Sequence, residues 1–274
     1  MGRILVMSLA FNLPSEVNAR TQELYERNRG TKFEHYIVDL GFPLEYGSDI
    51  PEDIEQAKAF NTILLKDTCK RFGSTYMKFP NIGVSQNYTQ FMKAVELKAD
   101  DVLICCDPDE VVHTDNWVRA IADVVGSGSS NVAYCGLCMD EQLPLFQRNE
   151  IGHEKKVVEG HNFYKINGVT SCAQWGFNAM FLLMIDGMPI PEKSSVYGYI
   201  ESALYDKMKE NGWYWGMLPD YIVEHGETST LYREYKTDIT SGNFTGEKQI
   251  GFEDWLKTKI FSQNGQLSWS KNEK

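Results

Sequence analysis

Asp101-Val102-Leu103-Ile104-Cys105-Cys106-Asp107-Pro108-Asp109-Glu110 decides how this chain reads. Five consecutive apolar residues make a short strand-like run, and it stops at a sharp, proline-containing turn that carries three carboxylates in four residues. Upstream, Ser85 to Lys98 reads as a helix with Tyr88, Phe91, Met92 and Val95 on one face. Before it, Tyr76 to Phe79 reads as a strand, and Ile54 to Arg71 as a helix closed by Gly73. His35 to Leu40 and Arg3 to Ser8 are two further strands. Between them a helix opens at Pro14-Ser15, runs through Glu23, and leads to Gly30, where its C-terminal end is expected. Strands that alternate with helices of this length predict an α/β fold with a mostly parallel central sheet flanked by helices. The ligand crevice of such a sheet lies at the carboxyl ends of its strands, so functional residues are expected after strands one, two and four.

Composition narrows the class. The 274 residues are 42% hydrophobic and 12% aromatic, enough for one large domain with a packed core. No low-complexity tract or repeat is present, which sets aside disordered, collagen-like and coiled-coil chains. The longest apolar runs, such as Ala179 to Ile185, fall far short of the roughly 20 residues that span a bilayer, and Met1 to Ser8 lacks the apolar core of a signal peptide. The expectation is a cytoplasmic protein with no membrane span. Adjacent Cys105 and Cys106 inside a strand point to reduced thiols. Cys135-Gly136-Leu137-Cys138 has no second pair of ligands nearby, so it reads as buried strand cysteine rather than a zinc site. The net charge of −11 is uneven: Ala99 to Thr230 holds 20 acidic and 8 basic residues, so the whole excess lies there. An acidic middle suits a cation, and it argues against nucleic-acid binding through a broad basic face.

The acidic turn has chemistry of its own. Like charges packed at a strand end repel unless a cation joins them. Hard oxygen donors favour Mg²⁺ or Mn²⁺, which would in turn hold a diphosphate. A solvated turn is the competing reading, but it leaves the choice of residues at the expected crevice unexplained.

With these residues in view, the chain resembles the GT-A fold nucleotide-sugar glycosyltransferases, especially glycosyltransferase family 2, over roughly Arg3 to Gly226. Ser8-Leu9-Ala10-Phe11-Asn12 stands where that family has the loop that packs on the nucleotide, which implies donor contacts from Ala10, Phe11 and Asn12. Asp39 matches the acid that hydrogen-bonds the base. Asn81-Ile82-Gly83 followed by Asn87 is similar to the family's Asn-x-Gly segment and helix asparagine, and Asp107-Pro108-Asp109 to its DxD motif. The resemblance implies a single GT-A domain over 1–226, with a nucleotide-binding half (1–110) and an acceptor half (111–226), and a C-terminal extension over 227–274 packed on it. It implies Asp107 and Asp109 on the donor and Asp109 with His225 on the metal, where Tyr221 to His225 reads as a strand.

Tyr199-Ile200-Glu201-Ser202 opens a helix that ends at Asn211-Gly212, and Glu201 stands where the family keeps its catalytic aspartate; the acid that precedes it there is Ile200 here. Glu201 is the candidate general base, with a helix-end charge as the alternative role. One base opposite the leaving group implies inversion at the anomeric carbon. Gly176-Phe177-Asn178 before the apolar run Ala179 to Met184 resembles a strand entry lining the acceptor site, and Trp175 is a candidate sugar-stacking ring. Arg233 and Lys236 sit in a Ser/Thr- and Gly-containing stretch suited to closing over a diphosphate. Lys155-Lys156, between His153 and His161, reads as a solvated loop.

The expected partners are a nucleotide-sugar donor, UDP-glucose or similar, and an acceptor hydroxyl. The chain is similar to bacteriophage transferases that glycosylate hydroxymethylated cytosine in DNA or extend a sugar already there. A bacterial cell-surface glycan is the other acceptor class, and a nucleotidyltransferase or a non-catalytic nucleotide-sugar-binding protein remain the other classes of function.

Overall fold

The computed structural model describes residues 2–10, 14–41, 54–80, 84–128, 130–170, 173–190 and 200–225. The first half alternates strand and helix: β1 (Ile4–Ala10), α1 (Pro14–Arg27), β2 (Glu34–Asp39), α2 (Ile54–Phe72), β3 (Thr75–Lys78), α3 (Val84–Ala94) and β4 (Val102–Cys106). The second half is richer in strands: β5 (Glu110–Val112), α4 (Trp117–Val125), β6 (Val132–Met139), α5 (Leu143–Gln147), β7 (His153–Val158), β8 (His161–Ile166), β9 (Ala173–Asn178), α6 (Ala179–Met184), α7 (Ile200–Glu210) and β10 (Tyr214–His225). Together they build one ten-stranded sheet in the order β3-β2-β1-β4-β9-β6-β10-β8-β7, with β5 on β10.

The pairings make β1 to β4, β6, β7 and β10 run one way, and only β5, β8 and β9 run against them. The sheet is thus mostly parallel, as the alternation predicts, with antiparallel β9 wedged between β4 and β6. Its inner strands β1, β4 and β6 are buried on both faces, which explains their largely apolar sequences. Leu5, Met7 and Leu9 of β1 join Leu103 and Cys105 of β4 in one core, with α3, α6 and α7 above it. Ile4, Val6, Val102, Ile104 and Cys106 point the other way, against α1 and α4. Cys135 and Cys138 belong to opposite cores, so they cannot share a metal; both are buried free thiols.

Three local expectations are corrected. The apolar run Ala179 to Met184 is helix α6, not strand: Asn178 Oδ1 accepts the Phe181 N–H at 3.2 Å and caps it. The segment around Lys155-Lys156 is a β-hairpin, turned by Glu159 and Gly160 with φ of 49° and 84°, the left-handed pair of a two-residue hairpin loop. Its lysines masked the strand because they lie over aromatic rings, Lys155 on Tyr164 and Lys156 on Tyr214. Asp115-Asn116-Trp117, which reads in the sequence as a helix cap and start, does not cap α4 either. Asn116 is left-handed with no side-chain cap bond, and Asn28 Oδ1, from the end of α1, accepts the Val118 N–H at 2.9 Å.

Gly176 is where β9 and α4 meet. A Cβ on it would overlap Ile121 Cγ2, a fully buried side chain. Gly176→Ala is expected to cost about 1–3 kcal/mol, read as a lower urea midpoint at unchanged slope.

Candidate active site

The strand order reverses at β1 and β4: β2 and β3 follow β1 to one side, and the later strands extend to the other. That switch point is where open α/β sheets bind ligands. Its carboxyl edge carries Ala10 at the end of β1 and the acidic turn at the end of β4, with Ser8 registered on Cys106. Asp107, Pro108 and Asp109 are half-buried, and the Glu110 N–H donates back to the Asp107 carbonyl at 3.3 Å. Glu110 turns inward, 4% exposed. Burial, then the Asp107 and Asp109 charges, push its carboxyl well above the usual carboxylate range, against a lowering hydrogen bond from Gln174. Asp107 and Asp109 beside it are oxygen donors of the kind a hard divalent cation takes.

The topology brings the end of β10 to the same turn. Antiparallel β5 pairs Glu110 with His225, Val111 with Glu224 and Val112 with Val223. His113 Nε2 and Glu224 Oε2, 3.0 Å apart, tie this junction from the side. Position 225 therefore lies across from Glu110, one residue past Asp109, although the side chain of His225 is outside the described atoms. Among the described residues no three His, Cys, Asp or Glu side chains already converge as a metal site. Phe11, Asn12, Arg233, Lys236 and the extension over 227–274 lie outside the described residues.

Asp39 is at the same edge, paired with Ala10, but its carboxylate is spent inside the fold. It is 1% exposed and accepts from Gly41 N–H at 2.7 Å, Thr62 Oγ1 at 2.7 Å and the Tyr76 hydroxyl at 2.6 Å. The structure makes it the anchor of the strand end, where the resemblance implies a contact to the base. Asn178 is also displaced from its expected place. It pairs with Val102 at the start of β4, the far end of the sheet from the turn, and its Nδ2 donates to Val125 O at 2.6 Å.

Asn87 is different. It is fully buried near the start of α3, and among the described residues neither its amide nitrogen nor its oxygen has a hydrogen-bond partner. An unsatisfied buried polar group costs about 1–3 kcal/mol and calls for a reason. The next residue, Tyr88, lies close to Cys105 and Asp107, and burial raises its phenol well above its ordinary value. Asn87 thus lies in the first turn of α3, next to a residue that reaches the acidic strand end.

Glu201 sits in the first turn of α7, half-buried, with no ion pair among the described residues. Ile200, Leu204 and Met208 form the stripe that α7 buries on the α3 side of the sheet. Asn211-Gly212 turns the chain tightly into β10, with Trp213 N–H on Met208 O at 3.0 Å, so the helix doubles back and its first turn points to the carboxyl edge. Trp175, paired with Cys105, is half-buried on the same side. It stacks on Tyr134 at 5.8 Å and 12°, which stacks on Trp215 at 4.9 Å and 19°, giving a rigid ring wall beside the turn.

Two features escaped the sequence reading. Gln174 sits between the turn and the sheet: its backbone N–H donates to Glu110 Oε2 at 3.0 Å and its Nε2 to the Asp107 carbonyl at 3.4 Å. A buried polar chain runs from Ser8 Oγ to His35 Nε2 at 3.0 Å and from His35 Nδ1 to Ser74 Oγ at 2.8 Å. Burial pushes the His35 imidazole down to about 3. Below the ordinary value near 6.5 the unfolded chain protonates first, so stability is full above that pH and falls towards 3. His35→Gln is expected to remove most of a loss of about 2 kcal/mol between pH 7 and 5, measured by urea unfolding at both pH values.

No family model matches the chain, and no curated protein matches it. Solved structures do. One is GalNAc-T7, crystallised with UDP, GalNAc and Mn²⁺: 12% identical, TM-score 0.55, covering 83% of this chain and 44% of that one. Others are a mycobacterial protein (13% identical, TM-score 0.49, 83% and 68% covered) and glucosyl-3-phosphoglycerate synthase from Mycobacterium tuberculosis with Mn²⁺, UDP and glucosyl-3-phosphoglycerate (12%, 0.48, 85% and 75%). The chain spans less than half the length of GalNAc-T7. At this identity the likeness speaks for architecture alone, and the architecture of this chain is the GT-A fold.

Proposed function

We propose that the protein is a metal-dependent, inverting glycosyltransferase that moves a sugar from a nucleotide-sugar donor, UDP-glucose or similar, to an acceptor hydroxyl. The observation that carries this reading is the acidic turn at the β1–β4 switch point, with the end of β10 drawn across from it. Asp109 and His225 are the proposed metal ligands, with Asp107 towards the ribose or the outer shell of the ion. A bound Mn²⁺ or Mg²⁺ supplies charge neutralisation for the departing diphosphate. Ala10, Phe11, Asn12 and the buried amide of Asn87 line the donor side, and Trp175 walls the acceptor side. Arg233 and Lys236 are proposed to close over the diphosphate. Glu201 removes the acceptor proton as attack proceeds, and a single base opposite the leaving group gives inversion. GalNAc-T7, with UDP and Mn²⁺ bound, supports the choice of donor and metal by its likeness of fold.

Two acceptors follow. One is the hydroxyl of hydroxymethylcytosine, or of its glucosylated form, in DNA; the other is a bacterial surface glycan. Basic side chains that could contact DNA phosphates are dispersed and answered by acids: Arg20 pairs with Glu16 and Glu23, and Lys156 and Lys165 share Glu154 on the β7–β8 hairpin. That dispersal favours the glycan. The test is UDP release from a panel of UDP-sugars with Mn²⁺, offered hydroxymethylated DNA, glucosylated DNA and glycans side by side. Acceptor-stimulated release is the expected result. No release above the protein-free rate with any pair contradicts transfer and leaves a binding protein.

A further inference from the structure

The bulge in β9 has a function that the donor, metal and base assignments leave unused. Cys135 pairs with Gly176 and Leu137 with Ala173, so β9 carries one residue more than β6 across this interval. Such bulges re-aim side chains, often beside active sites. Gln174 lies in it with φ of +47°, a left-handed backbone that a non-glycine residue holds at a cost of about 1–3 kcal/mol. The bulge turns its N–H out of the ladder and onto the buried Glu110 carboxylate, and its Nε2 onto the Asp107 carbonyl. That carbonyl also receives the Glu110 N–H, so both ends of the acidic turn are held by one residue of a neighbouring strand.

Gln174 is 3% exposed, and its remaining polar atom, Oε1, has no partner among the described residues. It lines a notch behind the turn together with Ser8, Arg20, Arg27, Asp107 and Glu110. The notch has about 20 Å³ of free volume, room for a water molecule. Arg20 Nε and Arg27 Nε, from two other residues that line the notch, are likewise buried without a partner among the described residues.

We propose that Gln174 and Glu110 are positioning residues that clamp the turn and present Asp107 and Asp109 outward to the metal-bound diphosphate. The inference rests on the transfer reading above. Glu110 faces inward to accept from Gln174, which keeps the third carboxylate of the turn out of the metal site. The strain in the backbone persists because the two hydrogen bonds over-determine it.

Gln174→Gly and Gln174→Leu test it. Glycine takes the left-handed backbone without strain, so it removes the side chain and keeps the bulge; leucine keeps the volume and removes the polar atoms. The readouts are Mn²⁺ affinity in the presence of UDP, by electron paramagnetic resonance titration, and UDP affinity without metal, by calorimetry. Residues that orient a metal ligand typically change metal affinity by about 10- to 100-fold. The expected result is Mn²⁺ affinity at least about tenfold weaker in both variants, with metal-free UDP affinity unchanged. Mn²⁺ affinity within twofold of wild type in either folded variant overturns the proposal. Equal losses of Mn²⁺ and metal-free UDP affinity also overturn it, because they mark a collapsed site. Wild-type protein that binds no Mn²⁺ with UDP removes the transfer reading itself, a failure distinguished by needing no variant.

Discussion

Glu201→Gln is expected to lower sugar transfer by about 10²- to 10⁴-fold while leaving donor binding at its wild-type strength. The amide keeps the size and polarity of the side chain and loses only its ability to take a proton. Glu201 is suited to that test because it opens α7 half-buried, free of ion pairs among the described residues, while the stripe that holds the helix is Ile200, Leu204 and Met208. The substitution therefore leaves packing intact. Its competing role, a charge favoured at a helix N-terminus, contributes about 0.3–1 kcal/mol to stability and nothing to the rate. The two are separated by measuring turnover, UDP-sugar affinity and melting temperature on the same variant. Wild-type turnover with a lowered melting temperature assigns Glu201 to the helix end.

Asp109→Ala is expected to remove the metal dependence of donor binding. A ligand at a hundred times its dissociation constant stabilises the native state by about 2.7 kcal/mol, which for a chain of this size is roughly 5–10 °C in melting temperature. Wild-type protein should show that shift with UDP and Mn²⁺ together and much less with either alone; the variant should show only the residual shift of UDP. Asp109 is the outward carboxylate of the turn, whereas Glu110 is buried on Gln174, and a glutamine at 110 keeps an oxygen to accept the Gln174 N–H, so Glu110→Gln should disturb the metal dependence far less. Metal-dependent stabilisation that survives in Asp109→Ala places the ion elsewhere.

The parallel half of the fold was legible because β1 and β4 are buried on both faces and strands alternate with amphipathic helices. β1, β2, β3 and β4 fall within two residues of their sequence-based limits, and Gly73 ends α2 with a φ of +73° as expected. The second half was legible in part: α7 and the end of β10 follow the expected helix and strand, and β9 does not. β9 contains Gln174, Gly176 and Asn178, which serve the turn, a close approach to α4 and a cap, so its residues follow tertiary contacts instead of a period of two. The run after it, Ala179 to Met184, is too short for its period to separate helix from strand. At the site, the acidic turn announced itself by charge at a strand end. At Asp39 the sequence shows an acid at a strand end but not the hydrogen bonds it accepts from Gly41, Thr62 and Tyr76, because those partners are set by the fold. Gln174 carried no signal at all: a left-handed glutamine in a bulge is defined by its partners, 64 and 67 residues away.

Thermal unfolding of the wild-type protein with UDP, UDP-glucose, other UDP-sugars, GDP-mannose and CTP, each with and without Mn²⁺, tests the central claim most directly. A metal-dependent rise in melting temperature with a UDP-sugar, absent with CTP, is the expected result. No shift with any nucleotide in the presence of the metal would contradict it and reduce Asp107-Pro108-Asp109 to a solvated turn.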